Sequence, residues 1–368
     1  MTTAYVASLE TSASEFDRSF EYCADPDGPQ LSGEYRNLKR SIESAGLLER
    51  QYGYYLRTMA ITWSFLVTGL ALLPGARDHG LYLLDAVFLG VVFGQLGFLG
   101  HDGAHGAVFR DWRNNHLLCL FSGNLLLGLS TSWWTRKHNI HHSNPNCVGL
   151  DGELEIAGLA FTEGQALSRT GWMLEAAKYQ AYTFFPLLML TALALRIESA
   201  QFVLRGKPKH AVAEGLLFLS HFVMYGWFVF AVLGVSHGIL FVLVHQVVFG
   251  LYMGLVFAPN HKGMPMIEHG VHLNFLYRQV ITARNITPGP ITDWCFGGLN
   301  YQIEHHLFPS MPRNRLKDAR TIVEAFCREH AIPYAVTGGI ASYLEIFRYL
   351  EDVSRAVRKA TASVAGPG

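Results

Sequence analysis

Histidine is concentrated in a few short motifs of this sequence, and its spacing there indicates metal chemistry. The chain has 17 histidines in 368 residues. Three motifs stand out: His101-Asp102-Gly103-Ala104-His105, His138-Asn139-Ile140-His141-His142 and Gln302-Ile303-Glu304-His305-His306. Residues three or four positions apart lie on one face of a helix, so the histidines of each motif can point at one place. Neutral imidazole is an ordinary ligand for iron, copper or zinc.

Together with His261, these motifs supply enough ligands for two metal ions. One tetrahedral zinc ion takes about four ligands, whereas eight imidazoles suit two metals of higher coordination number. The predicted ligands are His101, His105, His138, His141, His142, His261, His305 and His306. We expect structural, hydrogen-bonded roles for His221 and His245, and solvent exposure for His79 and His237. The roles left open are those of His116, His269 and His272.

The composition indicates that the elements holding these motifs lie in a membrane. Of all residues, 50% are hydrophobic and only 16% are charged, whereas a soluble domain has about 25% charged residues. The formal net charge is zero, so no overall field attracts nucleic acid. The five cysteines form no CxxC pair, which excludes a cysteine zinc site and a disulfide framework.

Four apolar stretches have the length of about 20 residues that a helix needs to cross a bilayer. They cover residues 56–74, 81–100, 213–233 and 237–257. Short connections at 74–80 and 234–236 join them into two helical hairpins. Two other apolar stretches are only about 13 residues long, which favours re-entrant or interfacial helices; they are 117–129 and 183–195. The stretch 81–100 has a face of small residues, formed by Gly90, Gly94, Gly97 and Gly100. We expect this face to serve close helix packing, with a groove for an acyl chain as the alternative.

Basic residues predict which side of the membrane the histidines face. They precede the first stretch, lie between the hairpins and follow the last stretch, whereas the two hairpin turns contain only Arg77. The positive-inside rule then places both termini and all three motifs in the cytosol. The predicted fold is an all-α integral membrane protein with four transmembrane helices, one or two interfacial or re-entrant helices, and a cytosolic helical cap that carries the motifs. Its predicted parts are a polar tail (1–33), a membrane domain with its cap (34–335), and a C-terminal helix with a flexible tail (336–368).

The motifs and their flanks resemble the membrane fatty-acid desaturase family. That family has an HxxxH box, an HxxHH box and a third H/QxxHH box, which here are HDGAH, HNIHH and QIEHH. The flanks at 134–138, 257–261 and 297–309 are similar as well, and the resemblance extends from about residue 35 to residue 330. The glutamine form of the third box resembles front-end desaturases and bacterial acyl-CoA desaturases, and the stretch 46–50 resembles the bacterial branch.

The resemblance implies that the eight histidines hold two iron ions, with Gln302 as a weak or water-mediated ligand in place of a histidine. It implies that O2 and two external electrons convert a CH2–CH2 pair of a long-chain acyl group, carried as acyl-CoA, into a cis double bond and two waters. Front-end desaturases often carry a fused cytochrome b5 domain with an HPGG motif, which this sequence lacks. We therefore expect electrons from a separate ferredoxin or flavin reductase, and a location in the plasma membrane of a bacterium.

Polar residues near the motifs are predicted to support the metal site. Those expected to orient imidazoles, or to act as weak ligands, are Asp102, Asn139, Asp151, Glu153, Asn260, Gln302 and Glu304. Asp102 and Glu304 are favoured because they lie inside the motifs. Arg136 and Lys137 could bind a phosphate of the acyl carrier, although the positive-inside rule also explains both.

Three other functions remain open. The nearest is a related di-iron hydroxylase, or an oxygenase that acts on alkanes, carotenoids or sphingolipids. A membrane zinc hydrolase would need a glutamate after the first histidine of an HExxH helix, and this position holds Asp102. A transporter or channel is disfavoured because ionisable residues are few inside the apolar stretches.

Overall fold

The computed structural model describes residues 33–365, apart from residues 207, 209 and 269. The polar tail predicted over 1–33 lies outside the described residues except for Gly33, and so does the end of the predicted C-terminal tail. The helices are α1 (Gly33–Ser44), α2 (Tyr52–Asp78), α3 (Tyr82–Ala104), α4 (Trp112–Cys119), α5 (Thr131–Ser143), α6 (Glu163–Leu167), α7 (Trp172–Ala177), α8 (Gln180–Leu188), α9 (Thr191–Arg205), α10 (Ala211–His261), α11 (Phe275–Ile281), α12 (Pro290–Cys295), α13 (Gln302–Leu307), α14 (Arg313–Glu329) and α15 (Gly339–Ala365). The other elements are a π-helical segment (Leu120–Leu127), a 3-10 turn (Gly152–Leu154) and the strands β1 (Asn285–Ile286) and β2 (Val336–Thr337).

Helices α2 and α3 form the first predicted hairpin. Both are long and apolar enough to cross a membrane. The turn between them is shorter than the predicted 74–80, because α2 continues through Pro74 to Asp78. Proline removes one backbone donor but does not have to end a helix that crosses a membrane, where other groups satisfy the freed carbonyls. In this last turn His79 adds a side-chain contact, with its Nδ1 2.9 Å from the carbonyl oxygen of Gly75.

Helix α10 contains the second predicted hairpin, because its 51 residues fold back at Gly234. Gly234 has a φ of 71° and a ψ of −179°, a combination that is essentially restricted to glycine. In a straight helix Tyr225 and His245 would be about 30 Å apart, yet Tyr225 Oη lies 3.0 Å from His245 Nδ1. The two halves of α10 therefore run antiparallel, as the connection at 234–236 predicts.

The two shorter apolar stretches belong to bent helix pairs. Helix α4 and the π-helical segment meet α5 at 111°, and α8 meets α9 at 74°. Gly128, with a φ of 65°, lies at the first bend. Each pair has the geometry of a broken span or a re-entrant loop. By length and composition, the three helices α2, α3 and α10 can cross a membrane. The number of candidate spans rises to five if each bent pair counts as one span. The four-span arrangement stays a prediction.

Helices α3 and α10 approach closely at small residues, as the glycine face of α3 predicts. A Cβ atom at Gly94 would lie 2.2 Å from the ring of Tyr252, and one at Gly90 would lie 2.8 Å from Val248. Both distances are shorter than a normal carbon–carbon contact, so a larger residue does not fit without a shift. Gly90 faces Val248 and, one turn later, Gly94 faces Tyr252. The two helices therefore run parallel here. They therefore carry the first histidine motif and His261 to the same end of the bundle.

A helical cap holds the third motif at this end. Buried side chains of α1, α11, α13 and α14 share one core, which includes Leu38, Leu307 and Leu316. Strands β1 and β2 pair in parallel over two residues each, which departs from the all-α prediction. So short a pairing shows no side-chain alternation in a sequence. Helix α15 follows β2 and packs on α8, where the rings of Tyr182 and Phe347 are 5.4 Å apart.

Candidate metal centre

Four helices deliver the predicted metal ligands to one place. The first motif occupies the last turn and C-cap of α3, and α5 carries the second. The last residue of α10 is His261, and α13 carries the third motif. The motif histidines are helical, as the spacing of three and four residues predicts, except for His105, which is the C-cap of α3.

Seven of the eight imidazoles form two neighbouring groups. Within each group one ring nitrogen per histidine lies within 4.8 Å of the others. The first group is His101, His105, His138 and His305, and the second is His141, His261 and His306. His142 lies beside the first group, because its Nε2 is 3.0 Å from His138 Nε2 and 3.1 Å from His305 Nε2. The fold therefore brings all eight predicted ligands together.

Gln302 lies within the second group. Its Nε2 is 2.9 Å from His261 Nε2, which in turn is 3.3 Å from His141 Nε2. Behind it, Asn260 donates from Nδ2 to Gln302 Oε1 at 3.1 Å. Gln302 thus lies among the imidazoles, with its amide bonded to that of Asn260.

Outer partners hold several imidazoles by Nδ1 and direct Nε2 inward. His141 Nδ1 is 2.9 Å from Asp151 Oδ2, and His261 Nδ1 is 3.0 Å from the carbonyl oxygen of Thr282. Partners of this kind fix the tautomer and the ring orientation of metal-bound histidines. Burial alone would raise the pKa of the Asp151 carboxyl group, but His141 beside it and Lys262 nearby hold that pKa well below its usual range.

The partner of a further imidazole, Gln279, was not predicted from the sequence. Gln279 of α11 places Oε1 2.9 Å from His306 Nδ1 and donates from Nε2 to the carbonyl oxygen of His142 at 2.8 Å. It therefore ties the third motif to the second. Gln279 lies about 25 residues before the third motif, in a short helix without a histidine motif, so no local pattern pointed to it.

The donor set fits metal binding. The Nε2 atoms of His101 and His306 are buried and have no hydrogen-bond partner among the described residues. A buried polar atom without a partner costs free energy, which coordination to a metal would offset. Burial, together with the neighbouring histidines, lowers the pKa of His305 and His306 well below the usual value. These imidazoles are therefore neutral at physiological pH, which is the form that binds metal.

Asp102 links the first motif to the cap. Its Oδ1 is 3.2 Å from His101 Nδ1, and its Oδ2 is 2.7 Å from Nε of Arg313 in α14. Both side chains of the ion pair are only 6% exposed, so each needs the other. Asp102 thus has the contacts expected of a residue that orients an imidazole, and Arg313 was missed because it is indistinguishable in sequence from the other basic residues.

Glu304 faces away from the imidazoles. Its Oε2 accepts from Asn285 Nδ2 at 2.7 Å, and its Oε1 accepts from Tyr334 Oη at 2.6 Å. Burial raises the pKa of Glu304 to about 7, although these hydrogen bonds act in the opposite direction. Glu304 therefore fixes α13 to the cap. Asn139 is exposed on α5 and Glu153 is half-exposed, so neither has the buried position expected of a residue that orients an imidazole.

Histidines outside the motifs have other surroundings. His245 is fully buried against Tyr225, and His221 Nδ1 lies 3.1 Å from the carbonyl oxygen of Leu125. Both agree with the structural roles expected for them. The ring of His116 lies against that of His210, outside both groups. Among the described residues the exposed histidines are His79, His210, His237, His272 and His330, and His269 lies outside the described residues.

A cavity of about 210 Å³ opens onto the imidazoles. Its lining at one end includes His138, His141, His261 and Gln302, together with the polar Lys137, Glu153 and Lys262. The other end is apolar and is lined by Leu127, Leu195, Phe249 and Met253. Phe249 precedes His261 by twelve residues of helix, so the cavity extends roughly 18 Å along α10.

The polar end of the cavity is nearly balanced in charge. Lys137 Nζ is 3.0 Å from Glu198 Oε2 and 3.8 Å from Glu153 Oε1. Lys262 donates from Nζ to the backbone carbonyl of Glu153 at 2.9 Å. Arg136, predicted together with Lys137, is exposed and does not line the cavity.

Comparisons with known proteins identify the family of this chain. The family model described as fatty acid desaturase matches residues 78–338, which include all three motifs. A Delta(5) fatty acid desaturase of Caenorhabditis elegans is 30% identical over 90% of this chain and 77% of its own length. A Delta(6)-fatty-acid desaturase of the same nematode is 28% identical over 89% and 76%. A Delta(8)-fatty-acid desaturase of Euglena gracilis is 29% identical over 94% and 85%. This chain therefore belongs to the fatty acid desaturase family and is an oxidoreductase of lipid metabolism.

Proposed function

We propose that this protein introduces a cis double bond into a long-chain acyl substrate, with O2 as co-substrate and two histidine-bound irons. The first histidine group with His142 would hold one iron, and the second group with Gln302 would hold the other. Bound there, the irons would supply the oxidising power needed to remove hydrogen from an unactivated methylene group. Two external electrons and two protons balance the conversion of O2 and the CH2–CH2 pair to the alkene and two waters.

The observation that carries this proposal is the cavity that leads from the imidazoles into apolar surroundings. An acyl chain is apolar along its whole length and fits a channel lined by Leu195, Phe249 and Met253. These side chains would exclude water from the chain and hold one pair of methylene groups beside the metal-binding nitrogens. Positioning of this kind is the contribution that a protein makes when a cofactor supplies the reactivity.

We propose that the substrate lies in the cavity with its carrier group at the polar end. Lys137 precedes His138, and Lys262 follows His261, so the polar end lies directly beside the metal centre. The new double bond would then form near the carboxyl end of the acyl chain. This orientation accords with the Delta(5), Delta(6) and Delta(8) positions in the names of the relatives. We propose acyl-CoA as the carrier, with the exposed Arg136 within reach of its phosphates.

Gln302 is proposed as a weak ligand of the second iron. A half-turn of its amide about the terminal bond, matched by a half-turn of the Asn260 amide so that Asn260 Oδ1 accepts from Gln302 Nε2, would direct Gln302 Oε1 towards the space beside His261. An amide oxygen is a harder and weaker donor than imidazole nitrogen. The second iron would therefore be held less tightly than the first.

The distribution of basic residues supports a cytosolic metal centre and cytosolic termini on a four-span topology. The relatives described above are eukaryotic, so they give no support to the bacterial plasma membrane that the stretch 46–50 suggested. We therefore propose the sidedness, and the separate electron donor, without assigning the membrane.

Expression in a host that lacks desaturases tests the function directly. Mass spectrometry should find cis double bonds near the carboxyl end of acyl chains with the wild-type protein, and none with a His305→Ala variant. Hydroxylated chains without new double bonds would instead support the di-iron hydroxylase alternative. Bound zinc without iron in the purified protein would contradict the proposed metal centre.

A further inference from the structure

Helix α5 carries three of the eight imidazoles and, like α13, contributes to both groups. His138 belongs to the first group and His141 to the second, while His142 contacts His138 and His305. A tilt or a shift of α5 along its axis would therefore change both groups at once. Contacts that fix the orientation of α5 should therefore also fix the relative positions of the two proposed metal sites.

The N-terminus of α5 is fixed by side chains that satisfy its first backbone N–H groups. The first N–H groups of a helix have no partner within the helix. Here Asn124 Oδ1 accepts from the N–H of Thr131 at 3.0 Å, and Ser130 Oγ, the N-cap, accepts from that of Trp133 at 3.2 Å. The N–H between them, that of Ser132, donates to Oε2 of Glu214 at 3.2 Å.

Glu214 reaches this point from the first turn of α10, more than 80 residues away in sequence. It is fully buried. Its Oε2 also accepts from Ser130 Oγ at 2.9 Å, and its Oε1 accepts from Ser132 Oγ. Asn124 donates from Nδ2 to the backbone carbonyl of Glu214 at 3.3 Å. One carboxyl group thus holds both the N-cap residue and the first turn of α5.

We call the bonds that Asn124 and Glu214 make with residues 130–132 the clamp. The clamp connects three parts of the fold. Asn124 lies in the π-helical segment, Glu214 in α10, and the residues that both hold lie at the start of α5. The 111° bend after Gly128 separates the π-helical segment from α5, so the backbone alone leaves the angle of α5 free to vary. Burying a carboxyl group costs free energy, which the hydrogen bonds that it makes here offset.

We infer that Glu214 is a positioning residue for the metal centre, which sets the orientation of α5 and thereby of His138, His141 and His142. This inference rests on the proposed di-iron function for its spectroscopic test, but the clamp itself can be tested without metal. Glutamine at this position keeps the geometry: its amide oxygen can accept from Ser130 and Ser132, and its amide nitrogen can donate to the Ser132 hydroxyl. Alanine removes every side-chain bond.

The test compares Glu214→Gln and Glu214→Ala by Mössbauer spectroscopy of protein loaded with 57Fe. We expect the Gln variant to keep the wild-type spectrum and iron content, and the Ala variant to show altered parameters at both irons and to lose at least half of the iron. If the Ala variant does not fold, Ser132→Ala, which removes only the hydroxyl contact, should show the same change in weaker form. Asp111→Ala is the matched control, because Asp111 caps α4 with a 2.9 Å bond from the N–H of Arg113, and α4 carries none of the eight histidines.

A wild-type spectrum in the Ala variant would overturn the inference. An equal change in the Gln and Ala variants would overturn it as well, because the hydrogen bonds of residue 214 would then not set the orientation of α5. Hydrogen exchange of the metal-free protein provides the separate test. The amides of Ser132 and Trp133 should exchange at least tenfold faster in the Ala variant and unchanged in the Gln variant; equal rates would overturn the clamp. Wild-type protein that binds no iron would sink the di-iron proposal, while the exchange rates still decide the clamp.

Discussion

His141 and His245 are both buried histidines, and their surroundings distinguish a metal ligand from a structural residue. His141 Nε2 faces His261 Nε2 at 3.3 Å, whereas His245 is bonded to Tyr225 inside α10. We expect His141→Ala to abolish desaturation and to lower the bound iron from about two per chain, because it removes one ligand and disturbs the neighbouring metal. His245→Ala should keep its iron. Iron analysis and product analysis of both purified variants check this, and normal turnover by His141→Ala would sink the assignment.

Asp151 should matter through His141 rather than by touching the metal. It accepts from His141 Nδ1 at 2.9 Å, and also from the backbone N–H of Asn146 at 2.9 Å. Asp151→Asn keeps the shape but weakens the partner of the imidazole, so we expect iron affinity to fall roughly 10–100-fold. Competition with a chelator measures the affinity. Glu155→Gln is the control, since Glu155 is exposed and pairs only with Arg169 among the ion pairs seen; an equal loss in both variants would contradict the role of Asp151.

At the residue scale, the clustering of the eight histidines was predictable from the sequence, and so were two of their hydrogen-bond partners, Asp102 and Asp151. Two other partners were not predicted. Seven histidines at helical spacing within three motifs point to a metal, because residues three or four positions apart share a helix face and this pattern is visible in the local sequence. Partners such as Gln279 and Thr282 act through one oxygen each and come from distant segments, so they have no local signature. Glu304 was predicted to orient an imidazole because it lies inside the third motif. Its place on the helix instead turns its carboxyl group towards Tyr334, and this direction was not predicted.

The packing of α8 and α9 against α10 depends on the absence of a side chain at Gly250. A Cβ atom there would lie 2.8 Å from the carbonyl oxygen of Met189 and 2.9 Å from the backbone nitrogen of Ala192. Backbone atoms cannot move aside cheaply, so Gly250→Ala should lower the free energy of unfolding by about 1–3 kcal/mol. It should also displace the cavity wall formed by Leu188 and reduce turnover.

Gly226 provides the control for this prediction on the same helix. A Cβ atom at Gly226 would meet nothing within 4 Å, so Gly226→Ala should be neutral or stabilising by up to about 1 kcal/mol through helix propensity. Denaturant titration of the two variants in detergent compares them. A Gly250→Ala variant as stable as Gly226→Ala would show that the bend between α8 and α9 can shift freely.

At the element scale, the sequence predicts the long helices well because a run of apolar residues and a short polar turn are strong signals. The ends were less predictable: α2 passes through Pro74, and α3 carries the first motif inside its last turn. The shortness of the stretches 117–129 and 183–195 predicted re-entrant or interfacial helices, but the angles of the bends at Gly128 and between α8 and α9 were not predictable, since they depend on what packs against them. Helix α11 lacks any such signal, although it supplies Gln279.

The whole chain has a predicted sidedness that cysteine labelling can test. Ser236 lies beside the reversal of α10 and is exposed, as is Arg77 near the end of α2. On the four-span topology, cysteines introduced at these two positions should react with an impermeant reagent added to intact cells. A cysteine at the exposed Ser168 should react only after permeabilisation. Labelling of Ser168→Cys in intact cells would overturn the topology and the cytosolic placement of the metal centre.

The supply of electrons is also a property of the whole chain. No nicotinamide or flavin fingerprint is present in this sequence: the stretch 94–97, which contains two glycines, lies inside α3 rather than in a strand-to-helix turn. It also lacks a set of cysteines spaced for an iron–sulfur cluster. Each proposed turnover nevertheless needs two electrons. The purified chain with acyl substrate and NAD(P)H alone should therefore be inactive, and an added ferredoxin or flavin reductase system should restore activity.

The encounter with that donor should depend on charge, because redox complexes are small, transient and electrostatically steered. Basic residues of the cap are exposed for such contact, among them Arg36 and Arg40 on α1. Activity with the donor should fall as ionic strength rises, since about 0.15 M salt already screens charges beyond roughly 8 Å. Arg36→Glu with Arg40→Glu should raise the donor concentration needed for half-maximal rate while leaving the iron content unchanged. Sustained turnover driven by NAD(P)H without any added carrier would contradict a separate donor, and a rate that does not respond to salt would contradict a charged docking surface.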